Sequence, residues 1–215
     1  MPKTERGMMQ TYPKIPGPFK RHTEGPDRNR LIVGKWTSPE LEALANLDWT
    51  WTEKIDGTNI RVHWDGHRVA FGGRTDNAQI PAKLVEVLRV LFTEEIFEQT
   101  FNDTEVTLYG EGFGAGIQSG GIYRPDQGFA LFDVRIGQFW LKRQDVVDVA
   151  NKMGIEYVPL KLTAPISEAI DFVKAGVGSD WNDAKAEGLV GVAPEGLLSR
   201  SGERIMVKIK HKDFQ

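Results

Sequence analysis

Residues 53–59 read Glu53-Lys54-Ile55-Asp56-Gly57-Thr58-Asn59. Asp56-Gly57 permits a tight bend, and β-rich runs flank it, Trp49 to Glu53 before and Ile60 to Trp64 after. Lys54 therefore sits where a strand enters a turn, a place from which a side chain can point into a sheet-lined cleft. A lysine near a turn is more often solvated, so the heptapeptide alone assigns no chemistry.

Outward from this stretch, Asp65-Gly66 is a hairpin signal and Arg68 to Phe71 returns antiparallel. Ser38-Pro39-Glu40 has the cap, first-turn proline and acid of a helix start, and that helix ends near Leu47. Lys83 to Phe92, extending toward Phe101, has leucine and valine at helical spacing. Val106 to Gly110 predicts a strand, followed by a glycine-rich loop over 110–121. Phe129 to Val134 and Gln138 to Leu141 predict strands. Arg143 to Lys152 and Ser167 to Lys174 predict helices stopped by Gly154 and Gly176. Gly188 to Val192 and Glu203 to Lys210 predict late strands. Strand pairs with intervening helices imply an α+β fold of twisted antiparallel sheets flanked by helices, without the alternating rhythm of a Rossmann domain.

The chain has 215 residues, no cysteine, four histidines and a net charge of -3. Disulfides, thiolate metal sites and cysteine nucleophiles are excluded. No apolar run approaches a membrane span and no apolar signal follows Met1, so a cytoplasmic protein is expected. Residues 1–40 carry a balance of +4 and residues 198–215 one of +3, leaving -10 for the middle. That excludes a uniformly basic nucleic-acid coat and leaves room for a local basic groove. Residues 1–35, rich in proline and basic residues, read as an arm packing on a domain over 36–215. Its Lys14, Lys20, Arg21, Arg28, Arg30 and Lys35 could meet phosphates or simply be solvated. The tryptophans at 36, 49, 51, 64 and 140 read as packing residues.

Other polar residues stand in unusual places. Glu111 follows a strand and Glu187 precedes one. Lys208 and Lys210 alternate with Val207 and Ile209, which puts both lysines on one side of a strand. That side is either an exposed edge, where lysine deters aggregation, or a phosphate-binding face. The loop at 110–121 lacks the Gly-Lys-Ser/Thr ending of a P-loop. A paired-carboxylate hydrolase using Asp56, Asp133 and Glu187 would leave the three lysines without a task.

Five segments in order carry a resemblance: 53–59, Gly110-Glu111-Gly112-Phe113-Gly114-Ala115-Gly116-Ile117-Gln118, Leu131-Phe132-Asp133-Val134, Glu187-Gly188-Leu189-Val190 and Val207-Lys208-Ile209-Lys210. The chain resembles the covalent nucleotidyltransferase superfamily of ATP-dependent ligases and capping enzymes, and within it the phage-type RNA ligases that seal nicks. The resemblance implies a nucleotidyltransferase fold around an ATP cleft. It implies that Lys54 takes AMP, that Glu53 lies on the adenine side, that Ile55 is among the nucleotide-binding residues, and that Asn59 lies near the reacting nucleotide. Arg74 would contact phosphate or the RNA end, Glu111 the ribose hydroxyl, and Phe132 would stack on adenine. Glu187, with Asp56 as a weaker candidate, would bind Mg2+ or Mn2+, and Lys208 and Lys210 would hold the phosphates. Nearby Lys208, Lys210 and metal would favour the neutral Lys54 amine that attack needs. The expected partners are nicked or broken RNA ends, in duplex or hybrid, and a monomeric protein with no membrane association is expected. No separate C-terminal domain is expected, so the arm would engage nucleic acid, a protein partner would be needed, or the chain would perform only the adenylylation step well. A DNA ligase core and a noncatalytic nucleotide- or RNA-binding module are the alternatives.

Overall fold

The computed structural model describes residues 9–215, which divide into two compact units, each built from two stretches of chain. In chain order the strands are β1 (Phe19–Arg21), β2 (Leu31–Trp36), β3 (Trp49–Lys54), β4 (Thr58–Trp64), β5 (Val69–Gly72), β6 (Val106–Phe113), β7 (Gly128–Ile136), β8 (Phe139–Trp140), β9 (Glu156–Tyr157), β10 (Leu160–Ala164), β11 (Gly188–Val192) and β12 (Met206–Lys210). The helices are α1 (Pro39–Ala43), α2 (Ala82–Leu91), α3 (Glu94–Phe101), α4 (Arg143–Met153) and α5 (Ile166–Ala175).

One unit comprises residues 9–13 with Asp56–Val158. Its six-stranded sheet runs β5-β4-β6-β7-β8, with β9 added parallel to β7 and every other pair antiparallel. Leu84 and Leu88 of α2, Phe97 and Phe101 of α3, and Val146, Ala150 and Met153 of α4 join Ile60, Val62, Leu108 and Leu131 of the sheet in one core. Each fully buried aliphatic or phenyl group there contributes about 1.5–3 kcal/mol. The helix predicted to continue toward Phe101 breaks at Phe92-Thr93. The Thr93 hydroxyl accepts from Ile96 N–H and starts α3 as a separate helix.

The other unit comprises Lys14–Ile55 with Pro159–Gln215. Its antiparallel sheet runs β10-β3-β11-β12, and β1 pairs with β2 beside it. The segment expected to be an arm without core elements thus supplies two strands, and Phe19 enters the core with Trp49, Trp51, Ile170 and Ile209. Trp51 is fully buried, its indole N–H bonded to the Ala164 carbonyl at 2.9 Å. A Cβ on Gly191, opposite Trp51 on β11, would lie 2.6 Å from that ring. Glycine here lets the two strands close over the indole.

The mixed architecture of helix-flanked antiparallel sheets agrees with the sequence. Among the described residues, no helix is long and apolar enough to cross a membrane.

Candidate functional site

Strand register assembles the lysine centre. Gly188 on β11 stands between Lys54 on β3 and Lys210 on β12, the three forming one row across the sheet. Two rows further along, Thr52, Val190 and Lys208 align, so Lys208 and Lys210 share the face of Lys54. A Cβ on Gly188 would lie 1.9 Å from the Ile209 carbonyl oxygen, so only glycine lets β11 begin here. The residue before it is pinned through its backbone. Glu187 N–H donates to the Lys54 carbonyl at 3.2 Å, and the Glu187 carbonyl accepts from His211 N–H at 2.9 Å.

The Glu187 side chain then meets both lysines. One carboxylate oxygen accepts from Lys54 Nζ, and the other lies 2.5 Å from Lys210 Nζ. The three side chains are 20%, 14% and 23% exposed, dry enough to strengthen the ion pairs and open enough for a ligand to enter. The immediate neighbour of the Lys54 ammonium is therefore a carboxylate, with Lys210 beyond it. The sequence expectation places Lys208, Lys210 and a metal near Lys54; the structure puts the Glu187 carboxylate in direct contact with its Nζ.

Glu53 points away from Lys54. Along β3, Trp49, Trp51 and Glu53 face the interior while Thr50, Thr52 and Lys54 do not. The Glu53 carboxylate is fully buried, accepts from Asp180 N–H at 3.1 Å and lies 3.6 Å from Lys161 Nζ. Lys161 also pairs with Asp180. Lys161 was not signalled by the sequence, because it occupies an irregularity in the β10–β3 register where alternation fails. Ile55 is buried, and its carbonyl lies 3.5 Å from Lys54 Nζ.

The remaining candidates belong to the other unit. Asp56 and Gly57 lead into β4, where Asn59 stands opposite Glu111 of β6. Glu111 lies inside a strand that continues to Phe113, rather than at its end. A Cβ on Gly57 would meet the Gly112 carbonyl oxygen at 2.4 Å and Glu111 Cγ at 2.9 Å, so glycine lets the turn pack against this carboxylate. Asn59 Oδ1 is buried without a hydrogen-bond partner among the described residues, leaving an acceptor that a donor could fill.

Phe132 occupies a bulge. Tyr109 pairs with Asp133 and Gly110 with Leu131, so Phe132 has no opposite residue. Its ring meets Tyr12 edge-on at 5.0 Å, and the Tyr12 hydroxyl donates to the Asp133 carboxylate at 2.5 Å. Burial pushes the Tyr109 phenol up, so it stays protonated and donates to the Gln10 carbonyl at 3.0 Å. Arg74 is exposed, on a loop that Arg61 fixes from inside. Arg61 is almost wholly buried and donates to the Gly73 carbonyl at 2.6 Å and to Asp76 at 2.8 Å. Tyr12 and Arg61 carried no sequence signal, since each works through partners distant in the chain.

Among the described residues, no three carboxylates or histidines gather as a metal cage. Both Glu187 oxygens serve ammonium groups. The donor set fits a magnesium-type ion that arrives with nucleotide phosphates and gains one carboxylate, the usual mode for that ion. It does not fit a preformed site.

The sequence pattern of the RNA ligase family matches residues 47–210. No curated protein matches the chain. Among solved structures, a Naegleria gruberi RNA ligase mutant with ATP and manganese is 20% identical and aligns with a TM-score of 0.63, over 81% of this chain and 54% of that one. The same ligase with pyrophosphate is also 20% identical, with a TM-score of 0.64 over 82% and 53%. A mutant with AMP and manganese is 19% identical, with a TM-score of 0.64 over 82% and 53%. The likeness is one of fold, and the chain spans about half the length of those ligases. With most of its length matched by one family pattern, the chain belongs to the RNA ligase family.

Proposed function

We propose that the protein is an ATP-dependent RNA ligase that joins 5′-phosphate and 3′-hydroxyl ends at nicks in duplexes. The observation that carries this is the Glu187 carboxylate held between the ammoniums of Lys54 and Lys210. A lysine amine attacks phosphorus only when unprotonated, and it normally holds its proton near neutral pH. The Glu187 oxygen bonded to Lys54 Nζ is the acceptor within reach.

Lys54 Nζ attacks the α-phosphorus of ATP. Glu187 takes one proton from the Lys54 ammonium before attack; the nitrogen–phosphorus bond then forms, the bond to pyrophosphate breaks, and the second proton lost from nitrogen passes to solvent. Lys210, released from the carboxylate, turns to the phosphates together with Lys208. A divalent metal, when bound, offsets charge on the phosphates and on the departing pyrophosphate. Glu187 and, more weakly, Asp56 are its candidate ligands. By resemblance Phe132 stacks on the base, Glu111 accepts from the ribose hydroxyl, Asn59 lies by the nucleotide, and Arg74 meets phosphate or the RNA end. An RNA 5′-phosphate oxygen then takes AMP from Lys54, and a 3′-hydroxyl displaces AMP to close the strand. The Naegleria structures hold ATP, AMP, manganese and pyrophosphate, the nucleotides, metal class and leaving group of this first step.

Incubation with α-labelled ATP and magnesium should label the protein, and matched RNA, DNA and hybrid nicks should then discharge the label, RNA fastest. Lys54→Ala should take up none. Wild-type labelling of that variant would sink the assignment.

A further inference from the structure

An open groove of about 870 Å³ lies in the unit that holds Lys54, away from the lysine row. Its walls come from the β1–β2 hairpin, α5 and the turn after β12. Arg21, Arg28, Arg30, Lys174 and Lys212 line it against two carboxylates, Asp171 and Asp213, a balance of +3.

The groove is held in shape by its own bonds. Arg21 donates to the Asn29 carbonyl at 2.7 Å and to Asp213 at 2.5 Å, tying the hairpin loop to the turn after β12. His211 Nδ1 lies 2.8 Å from the Val173 carbonyl and ties the same turn to α5. With His211 and Asp213 each pinned, Lys212 between them is left exposed on the groove. Arg28 is likewise exposed, at the tip of a loop closed by Arg28 N–H to the Gly25 carbonyl and Asn29 N–H to the His22 carbonyl. Arg30 and Lys174 have carboxylate partners, Asp27 and Asp171. Arg28 and Lys212 have no ion-pair partner among the described residues.

We propose that this groove docks the phosphate backbone of the RNA strand, with Arg28 and Lys212 as its principal phosphate contacts. Exposed cations with no internal ion-pair partner, carried on a hydrogen-bonded frame, are what a polyanion recognises without reading its bases. Arginine adds a fork that matches phosphate oxygens. Lys212 follows Lys210 by two residues, so one stretch of chain runs from the carboxylate beside Lys54 into the groove. The identity of the polyanion rests on the ligase reading, whereas the groove itself does not. Lys14, Lys20 and Lys35, basic residues of the same segment, lie outside it.

The test is fluorescence anisotropy of a labelled, 5′-phosphorylated single-stranded RNA in a salt series, using the full chain. Arg28→Gln with Lys212→Gln should weaken binding at least tenfold at low salt. It should also reduce the slope of log K against log salt by about 1.4, the loss of two phosphate contacts. Each single variant should take about half of that slope, which guards against a folding defect in the double variant. Thermal melting should be unchanged in all three. Unaltered affinity and slope would overturn the proposal, as would equal competition by polyglutamate at matched charge, which would mark an acidic-peptide site. Labelled AMP uptake separates the two readings. A wild-type chain that binds RNA through these residues yet takes no AMP loses its proposed activity and keeps its groove.

Discussion

Glu187 has two oxygens and two ammonium partners, so a substitution there acts on both lysines. Glu187→Gln keeps the shape and removes the charge and, on the proposed reaction, the proton acceptor. Uptake of labelled AMP should slow by about 10²–10⁴-fold, the usual contribution of a positioned acid or base, with little change in melting. Lys161→Ala should behave in the opposite way. It leaves the Glu53 carboxylate buried with only the Asp180 N–H. Stripping one partner from a buried pair costs about 3–5 kcal/mol, and the surviving hydrogen bond argues for the lower end. A urea midpoint measures it. At this scale the family resemblance of the motifs, and no local pattern by itself, singled out Lys54, Glu187 and Lys210, which the structure brings together. Tyr12, Arg61 and Lys161 were hidden. The Tyr12 partner Asp133 is 121 residues away, and no local pattern announces such a bond.

Elements were legible where their period was clean. The β4–β5 hairpin follows from Asp65-Gly66, and its turn has a pH signature. The Arg68 and His67 backbone N–H groups donate to the Asp65 carboxylate at 2.7 and 2.9 Å and hold it below the usual carboxylate range, with His63 and His67 adding smaller effects. A carboxyl lowered by folding stabilises the native state above its unfolded value, near 4, and loses that contribution as pH falls through the folded value. Wild type should therefore melt higher than Asp65→Asn at neutral pH, and the gap should close in acid. Gly188→Ala tests register itself. Its Cβ has no room beside the Ile209 carbonyl, so β11 must shift from β12, and melting temperature and AMP uptake should fall together. β10 was missed because an exposed Leu160 and the register irregularity at Lys161 disguise its alternation. β1 was missed because Phe19 is its one apolar residue.

For the whole chain, five motifs in order implied the fold class, yet they could not show that each compact unit is built from two separated stretches of sequence. Motif order is linear, whereas unit membership is set by which strands pair. Chelation probes the chain as a whole. With no cage of metal ligands among the described residues, EDTA should stop AMP uptake and leave the melting temperature of the nucleotide-free protein unchanged. A drop of several degrees would reveal a structural ion. The pairing of Lys54 with Glu187 spans 133 residues, and Lys210 joins them from further still. During synthesis the lysine is therefore made long before its carboxylate, and contacts so distant in sequence form late. A nascent chain still lacking β11 and β12 has Lys54 without its Glu187 carboxylate and without Lys210. On the proposed reaction, reactivity toward nucleotide would thereby be confined to the finished fold, and self-labelling would double as an assay of complete folding.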